Sequence, residues 1–204
     1  MEKSKLKIGL LGGTFNPPHL GHLYIAEKLY EEFSLDKVYF IPVGDPPHKT
    51  DKYIASATDR IKMLQIMLSD YHDFEVLTLE TERIGYTYTV DTLTQLSKIY
   101  DNVSFYYIIG SDTLFNLKTW KNFEVVFKLT SFLCIARPGN TIDEILNEIK
   151  FLKREYSATI YLSNYSGPEI SSTQIREALE TNNNSNLLDK NVMEYIIKNN
   201  VFNK

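Results

Sequence analysis

Short apolar runs of five to seven residues alternate with longer stretches of helical periodicity through most of the chain, and this alternation limits its fold more than any other feature. The runs Lys7–Leu11, Lys37–Val43, Phe74–Glu80, Ser104–Ile109, Ser131–Ala136 and Ala158–Leu162 predict strands. Several are too uniformly apolar to leave one face in water, as expected of buried parallel strands. Between them, apolar spacing predicts helices over Leu20–Phe33, Thr58–Leu68, Val90–Tyr100, Asn122–Leu129, Ile142–Tyr156, Thr173–Glu180 and Asp189–Asn199. Strands and helices in alternation imply an α/β fold, here a Rossmann-like, doubly wound, mainly parallel sheet with helices on both faces. Thr141 with Glu144 and Ser171 with Gln174 predict capping boxes that open two of the helices.

At 204 residues the chain suits one domain spanning 1–204. Its formal charge of −4 argues against the broad basic face that nucleic acid requires, so any phosphate binding must be local. Cys134 is the single cysteine, which rules out a disulfide framework and fits a reducing interior. No apolar run is long enough to span a membrane and the N-terminus lacks a signal-peptide core, so a cytoplasmic location is expected. The long stretch Gly44–Ala57, with Asp45-Pro46-Pro47-His48-Lys49, reads as a functional loop.

After the first strand comes Gly12-Gly13-Thr14-Phe15-Asn16-Pro17-Pro18-His19-Leu20-Gly21-His22. Two glycines allow a sharp turn and close approach to a ligand, and the helix that follows aims its positive end at the same place. His19 and His22, three apart, share one face of the first turn. Their N–H groups can donate to phosphate oxygens, and a histidinium would do so with charge assistance. The pattern is neither a Walker loop nor the GxGxxG dinucleotide fingerprint. Near the C-terminus, Ser171-Ser172-Thr173-Gln174-Ile175-Arg176 offers a second helix start with hydroxyls and a guanidinium, hence a second phosphate clamp.

The first motif resembles the HxGH signature of the nucleotidyltransferase superfamily. Paired with ISSTxIR, and with no KMSKS-like segment, it resembles the adenylyltransferases of cofactor synthesis rather than the class I aminoacyl-tRNA synthetases. From Ile8 to Arg176 the chain is similar to the bacterial nicotinate-nucleotide adenylyltransferases, through Pro46-Pro47-His48-Lys49, Tyr86-Thr87-Tyr88-Thr89-Val90-Asp91-Thr92-Leu93, Gly110-Ser111-Asp112 and Trp120. That resemblance implies transfer of adenylate from ATP to nicotinate mononucleotide, giving deamido-NAD and pyrophosphate. It assigns His19, His22 and Arg176 to catalysis, and Gly12, Gly13, Thr14, Phe15, Gly110, Asp112, Ser171, Ser172 and Thr173 to ATP. Asn16, Lys49, Tyr88, Thr89, Trp120 and Lys121 fall to the acceptor, with Trp120 stacked on the pyridine ring and amides near Thr89 receiving the carboxylate. Asn16 stands where the family often has Asp, and Lys121 where an aromatic is familiar.

The implied cofactor is Mg²⁺ carried on the ATP phosphates, since no ligand spacing supports a protein-bound transition metal. The implied partners are ATP and nicotinate mononucleotide, without nucleic acid or membrane, and a homo-oligomer stays open. The alternatives are nicotinamide mononucleotide or another phosphorylated acceptor, or a non-catalytic nucleotide sensor.

Overall fold

The computed structural model describes residues 5–44, 54–181 and 186–202. Six parallel strands form one sheet: β1 (Leu6–Gly13), β2 (Lys37–Pro42), β3 (Phe74–Val76), β4 (Val103–Gly110), β5 (Ser131–Ala136) and β6 (Ile160–Ser166), in the order β3-β2-β1-β4-β5-β6. The connecting helices are α1 (Leu20–Phe33), α2 (Ala57–Met67), α3 (Thr89–Ile99), α4 (Ser111–Leu114), α5 (Phe123–Leu129), α6 (Ile142–Tyr156), α7 (Ser172–Glu180) and α8 (Lys190–Lys198), with a 3₁₀ turn at Leu117–Thr119. Among the described residues, no helix is long and apolar enough to cross a membrane.

The period of two along each strand explains why the strands are apolar throughout. Val38, Phe40, Leu133 and Ile135 pack into one buried cluster with α1, α2 and α8. Their neighbours Tyr39, Ile41, Phe132 and Cys134 pack into a second with α3, α5 and α6. The sheet is therefore covered on both faces, as the doubly wound expectation required. Both expected capping boxes are present: Thr141 and Glu144 open α6, and Ser171 and Gln174 open α7.

Two strands differ from expectation. Rather than running to Glu80, β3 ends at Val76. The Leu77 amide still reaches the Phe40 carbonyl (2.9 Å), but the Thr78 carbonyl accepts from Thr81 (2.9 Å) and Glu82 (3.2 Å), so the chain turns off the sheet. β6 begins later than Ala158 and continues through the polar Ser163-Asn164-Tyr165-Ser166. Glu32 of α1 accounts for that extension by accepting from the Ser163 hydroxyl (2.5 Å) and the Asn164 amide (2.9 Å). The helix α4 and the 3₁₀ turn are too short to give a periodic signal, and the sequence pattern predicts neither.

Candidate active site

Strand order reverses between β1 and β4, because the chain leaves β1 toward β2 and leaves β4 toward β5. At such a point the loops beyond the strand ends diverge and open a crevice. Here it consists of three neighbouring cavities of about 180, 710 and 240 Å³, all lined by Arg137. The smallest lies against Gly12, His22, Gly110, Asp112 and Trp120. The largest runs from Gly12–Thr14 to Tyr88, Thr89, Trp120 and Lys121. The third joins Thr14–Asn16, His19 and His22 to Ser171–Thr173 and Arg176, so the two motifs face one space.

Gly12 and Gly13 are the last residues of β1, not a turn, which corrects the expected reason for them. A Cβ on Gly12 would collide with the Tyr107 hydroxyl, and one on Gly13 would come within 3.1 Å of the Phe15 ring. The left-handed residue is Phe15 itself (φ 52°). Its ring is buried and sits edge-on to His22, with centroids 4.9 Å apart, so it supports the cradle from beneath. Asn16 is also buried. Its Oδ1 accepts from the Ala55 amide (2.9 Å) and its carbonyl accepts from Arg176 (2.8 Å), ties that an Asp side chain could equally make.

His19 caps α1 and stacks on His22 with centroids 3.6 Å apart. The His19 amide donates to His22 Nδ1 (3.2 Å), so a neutral His22 keeps its proton on Nε2 as a donor. His19 is only 4% exposed. Burial, reinforced by the Arg137 charge, lowers its pKa to about 4. Of the two donor forms open from the sequence, imidazole and histidinium, His19 is therefore the neutral imidazole at neutral pH. Its Nδ1 is buried at the first turn of α1, set toward the His22 amide but without a hydrogen bond of ordinary geometry.

In the second motif, the hydroxyls are engaged within the fold. Ser171 caps α7 through the Gln174 amide (3.2 Å), Ser172 donates to the Pro17 carbonyl (2.9 Å), and Thr173 accepts from Arg176 (3.2 Å). These contacts pin α7 to the first motif, and the clamp offers mainly the amides of the α7 start and the Arg176 fork.

On the opposite side of the crevice, Gly110 ends β4 and a Cβ there would collide with Asp112. The Asp112 carboxylate sits in the first turn of α4, which Gly110 caps, and lines two of the cavities. Trp120 packs edge-on to Tyr107 (5.5 Å between centroids) while lining both cavities. Tyr88 caps α3, and Thr89 opens it, at the wall of the largest cavity. Lys121 lies over the Tyr88 ring at 4.1 Å and pairs with Asp91 at 3.6 Å. The expected contribution of Lys49 lies outside the described residues.

Sequence reading missed Arg137. Its stem passes within 2.9 Å of where a Gly110 Cβ would stand and 3.3 Å of one on Gly167, so both glycines clear its path. The Ser111 hydroxyl accepts from its amide (3.0 Å), and its Nε is buried without a hydrogen-bond partner. A cation following an apolar strand, in Ala136-Arg137-Pro138-Gly139, was the readable signal. Arg60 of α2, which with Met63-Leu64 belongs to the segments similar to the family, also supports the site. It is buried and donates to the carbonyls of Ala55 (3.2 Å), Thr14 (3.0 Å) and Val43 (2.8 Å), tying the cradle to the end of β2. Glu80, which accepts from Thr92 (2.7 Å), and Thr87, whose buried hydroxyl has no partner, also line the largest cavity.

The fold and this crevice are those of a nucleotidyltransferase, and the cytidylyltransferase-like family model matches residues 10–178. A probable nicotinate-nucleotide adenylyltransferase of Thermoanaerobacter sp. (strain X514) is 40% identical over 205 residues, covering 98% of this chain and 96% of its own. One from Bacillus cytotoxicus is 38% identical, with 96% and 98% covered. A solved structure of Plasmodium falciparum nicotinic acid mononucleotide adenylyltransferase complexed with NaAD shares the fold, with a TM-score of 0.78, 21% identity and 97% of each chain covered. The chain belongs to the nicotinate-nucleotide adenylyltransferase family.

Proposed function

We propose that the 5′-phosphate of nicotinate mononucleotide attacks the α-phosphorus of ATP in line. The new bond is between the acceptor oxygen and Pα, and the bond from Pα to the bridging oxygen breaks, so deamido-NAD forms and pyrophosphate leaves. The supporting observation is the pair of buried polar atoms without a hydrogen bond of ordinary geometry, His19 Nδ1 and Arg137 Nε, beside a cavity bounded by the starts of α1 and α7. Buried polar atoms left unpaired cost free energy, and phosphate oxygens are the acceptors that two helix N-termini would attract.

The acceptor phosphate is already ionised near neutral pH, so no general base is required. His22 donates through Nε2 to oxygens around Pα, and His19 meets the same charge from its buried position. Arg176 and the amides at the α7 start hold the β- and γ-phosphates, and Arg137 bridges the three cavities. Gly12, Gly13, Thr14, Phe15, Gly110 and Asp112 shape the nucleotide site, with Phe15 acting through its backbone and as a support. The pyridine ring lies in the largest cavity against Trp120 and Tyr88, its carboxylate toward the orphan amides at the α3 start around Thr89.

Among the described residues, no three His, Cys, Asp or Glu side chains cluster as a metal site, and Asp112 is the exposed carboxylate lining the crevice. This donor set fits Mg²⁺ that arrives on the triphosphate and keeps most of its water, with Asp112 available to hold that shell. The ion would neutralise charge on the leaving pyrophosphate. A cytoplasmic setting, where Cys134 stays reduced, completes the reading.

Pyrophosphate release with ATP and a panel of acceptors tests it. Nicotinate mononucleotide should be the preferred acceptor, and His22→Ala should lower turnover ~10²–10³-fold. Preference for another acceptor, or near-normal turnover of the variant at saturating ATP and Mg²⁺, would overturn the assignment.

A further inference from the structure

The acid and amide forms of the acceptor have nearly the same shape and differ by one negative charge, so a site that separates them must read that charge. Among the described residues lining the largest cavity, the carboxylates of Glu80 and Asp112 face two cations, Arg137 and Lys121. Without Lys121 the lining would carry a net charge of −1 and oppose a carboxylate. Arg137 stands with Gly12–Thr14 at the cradle, and the acceptor phosphate occupies that end. The other end of the same molecule reaches the wall formed by Tyr88, Thr89, Trp120 and Lys121.

We propose that the Lys121 ammonium is a specificity-determining group that favours the acid over the amide mononucleotide through its side-chain charge. This inference rests on the acceptor reading above and extends it, because the family resemblance places selection in main-chain amides. Lys121 is held at the wall by the Tyr88 ring, 4.1 Å from its Nζ, and is drawn outward by Asp91 at 3.6 Å. Asp91 does not line the cavity. The lysine side chain is 46% exposed, so the Asp91 pair is weak and can yield to a substrate carboxylate. The start of α3 and the Thr87 hydroxyl, buried without a partner on the same wall, add donors of the sign that an anion needs. The acceptor ring lies against Tyr88, and the carboxylate replaces Asp91 as the partner of Lys121.

The test is the ratio of kcat/KM for nicotinate over nicotinamide mononucleotide, with ATP and Mg²⁺, in the full chain. Lys121→Met should lower this ratio about fivefold, the size of a partly exposed charge pair. Lys121→Arg should hold the ratio near the parent value, and Asp91→Asn, which frees the ammonium, should raise it. Raising ionic strength should narrow the gap between parent and Lys121→Met. A merely structural role for Lys121 would change both substrates together and leave the ratio unmoved. An unchanged ratio in Lys121→Met, or a lowered one in Asp91→Asn, overturns the proposal even if the parent prefers the acid. A parent chain that turns over neither pyridine mononucleotide overturns the acceptor reading and this inference with it.

Discussion

Gly12→Ala is the sharpest probe of the crevice, because the damage comes from a single atom. Gly12 is in strand conformation, so alanine adds no backbone strain, and the new Cβ collides with the Tyr107 hydroxyl. Tyr107 has little room to retreat, since its ring packs on Trp120 and Phe132 at centroid distances of 5.5 and 6.3 Å. Overpacking at such a site costs about 1–3 kcal/mol, or roughly 3–9 °C in Tm for a chain of this size. The cradle amides shift with the strand end, and a displacement of about 1 Å there can cost ~10²-fold in kcat. With Tyr107→Phe in the same chain, the nearest remaining atom is Cζ at 3.2 Å, a tight contact that a few tenths of an ångström relieves. The double variant should therefore recover at least half of the lost stability and much of the rate, with a coupling free energy of ~1 kcal/mol or more across the cycle. Thermal melts and pyrophosphate release on all four proteins provide the test. Additive effects of the two substitutions would refute the collision, and an unaffected Gly12→Ala protein would show that Tyr107 does not occupy that space.

Three further outcomes follow from the buried groups. The His19 pKa lies at about 4 in the folded protein against an ordinary value of 6.5 in the unfolded chain, which therefore takes up the proton first. Its contribution is fully present above pH 6.5 and is lost as pH falls toward 4, by about 3 kcal/mol in all; urea midpoints should show a weaker acid dependence in His19→Gln, and identical slopes would contradict the shift. Arg137→Met should lower turnover ~10²-fold or more while leaving Tm unchanged or higher, because it removes a buried guanidinium nitrogen that has no partner. A large fall in Tm would identify Arg137 as structural. Cys134 is buried, and burial with the nearby Asp112 charge pushes its thiol up to about 12, so a thiol reagent at about pH 8 should label it only after denaturation.

Much of the fold is legible in local pattern. Leu20–Phe33 and Ile142–Tyr156 form helices with the expected limits, since fourteen and fifteen residues hold enough turns for periodicity to speak. The convergence of the first motif and Ser171–Arg176 follows from a parallel sheet, which puts the carboxyl ends of its strands on one side. What the sequence could not reveal depends on pairs distant along the chain. Gly12 needs its missing Cβ because of Tyr107, ninety-five positions away, and the Ser172 hydroxyl is occupied by the Pro17 carbonyl. Arg60 lies on the same helix face as Met63, Leu64 and Met67, at the spacing of core residues, and only the tertiary fold supplies the carbonyls that make its burial tolerable. Asn16 shows the reverse case, a departure from the family's charge at a position where the structure uses the side-chain oxygen to accept from Ala55.

An acidic chain that binds two anionic nucleotides must place its positive potential locally. Among the described residues, Arg137 borders all three cavities, Arg60 and Arg176 reach the Thr14 and Asn16 carbonyls of the cradle, and Lys121 stands at the far wall. The starts of α1, α3 and α7 supply the rest as oriented amides, which need no side-chain charge and no reorganisation when a phosphate arrives. The neutral state of His19 fits this economy. A histidinium buried beside Arg137 would carry a desolvation and a repulsive cost, which the neutral ring avoids and which the opposing charge of a triphosphate would offset. Binding should therefore raise the His19 pKa, and ATP should bind with net proton uptake in the range between the two values. Calorimetry in buffers of different ionisation enthalpy measures that uptake directly. ATP's own terminal phosphate also exchanges a proton at about pH 6, so the comparison is with His19→Gln: equal uptake by the two proteins at about pH 5 to 6 would mean that ATP does not contact His19 and that His22 and Arg137 carry the charge.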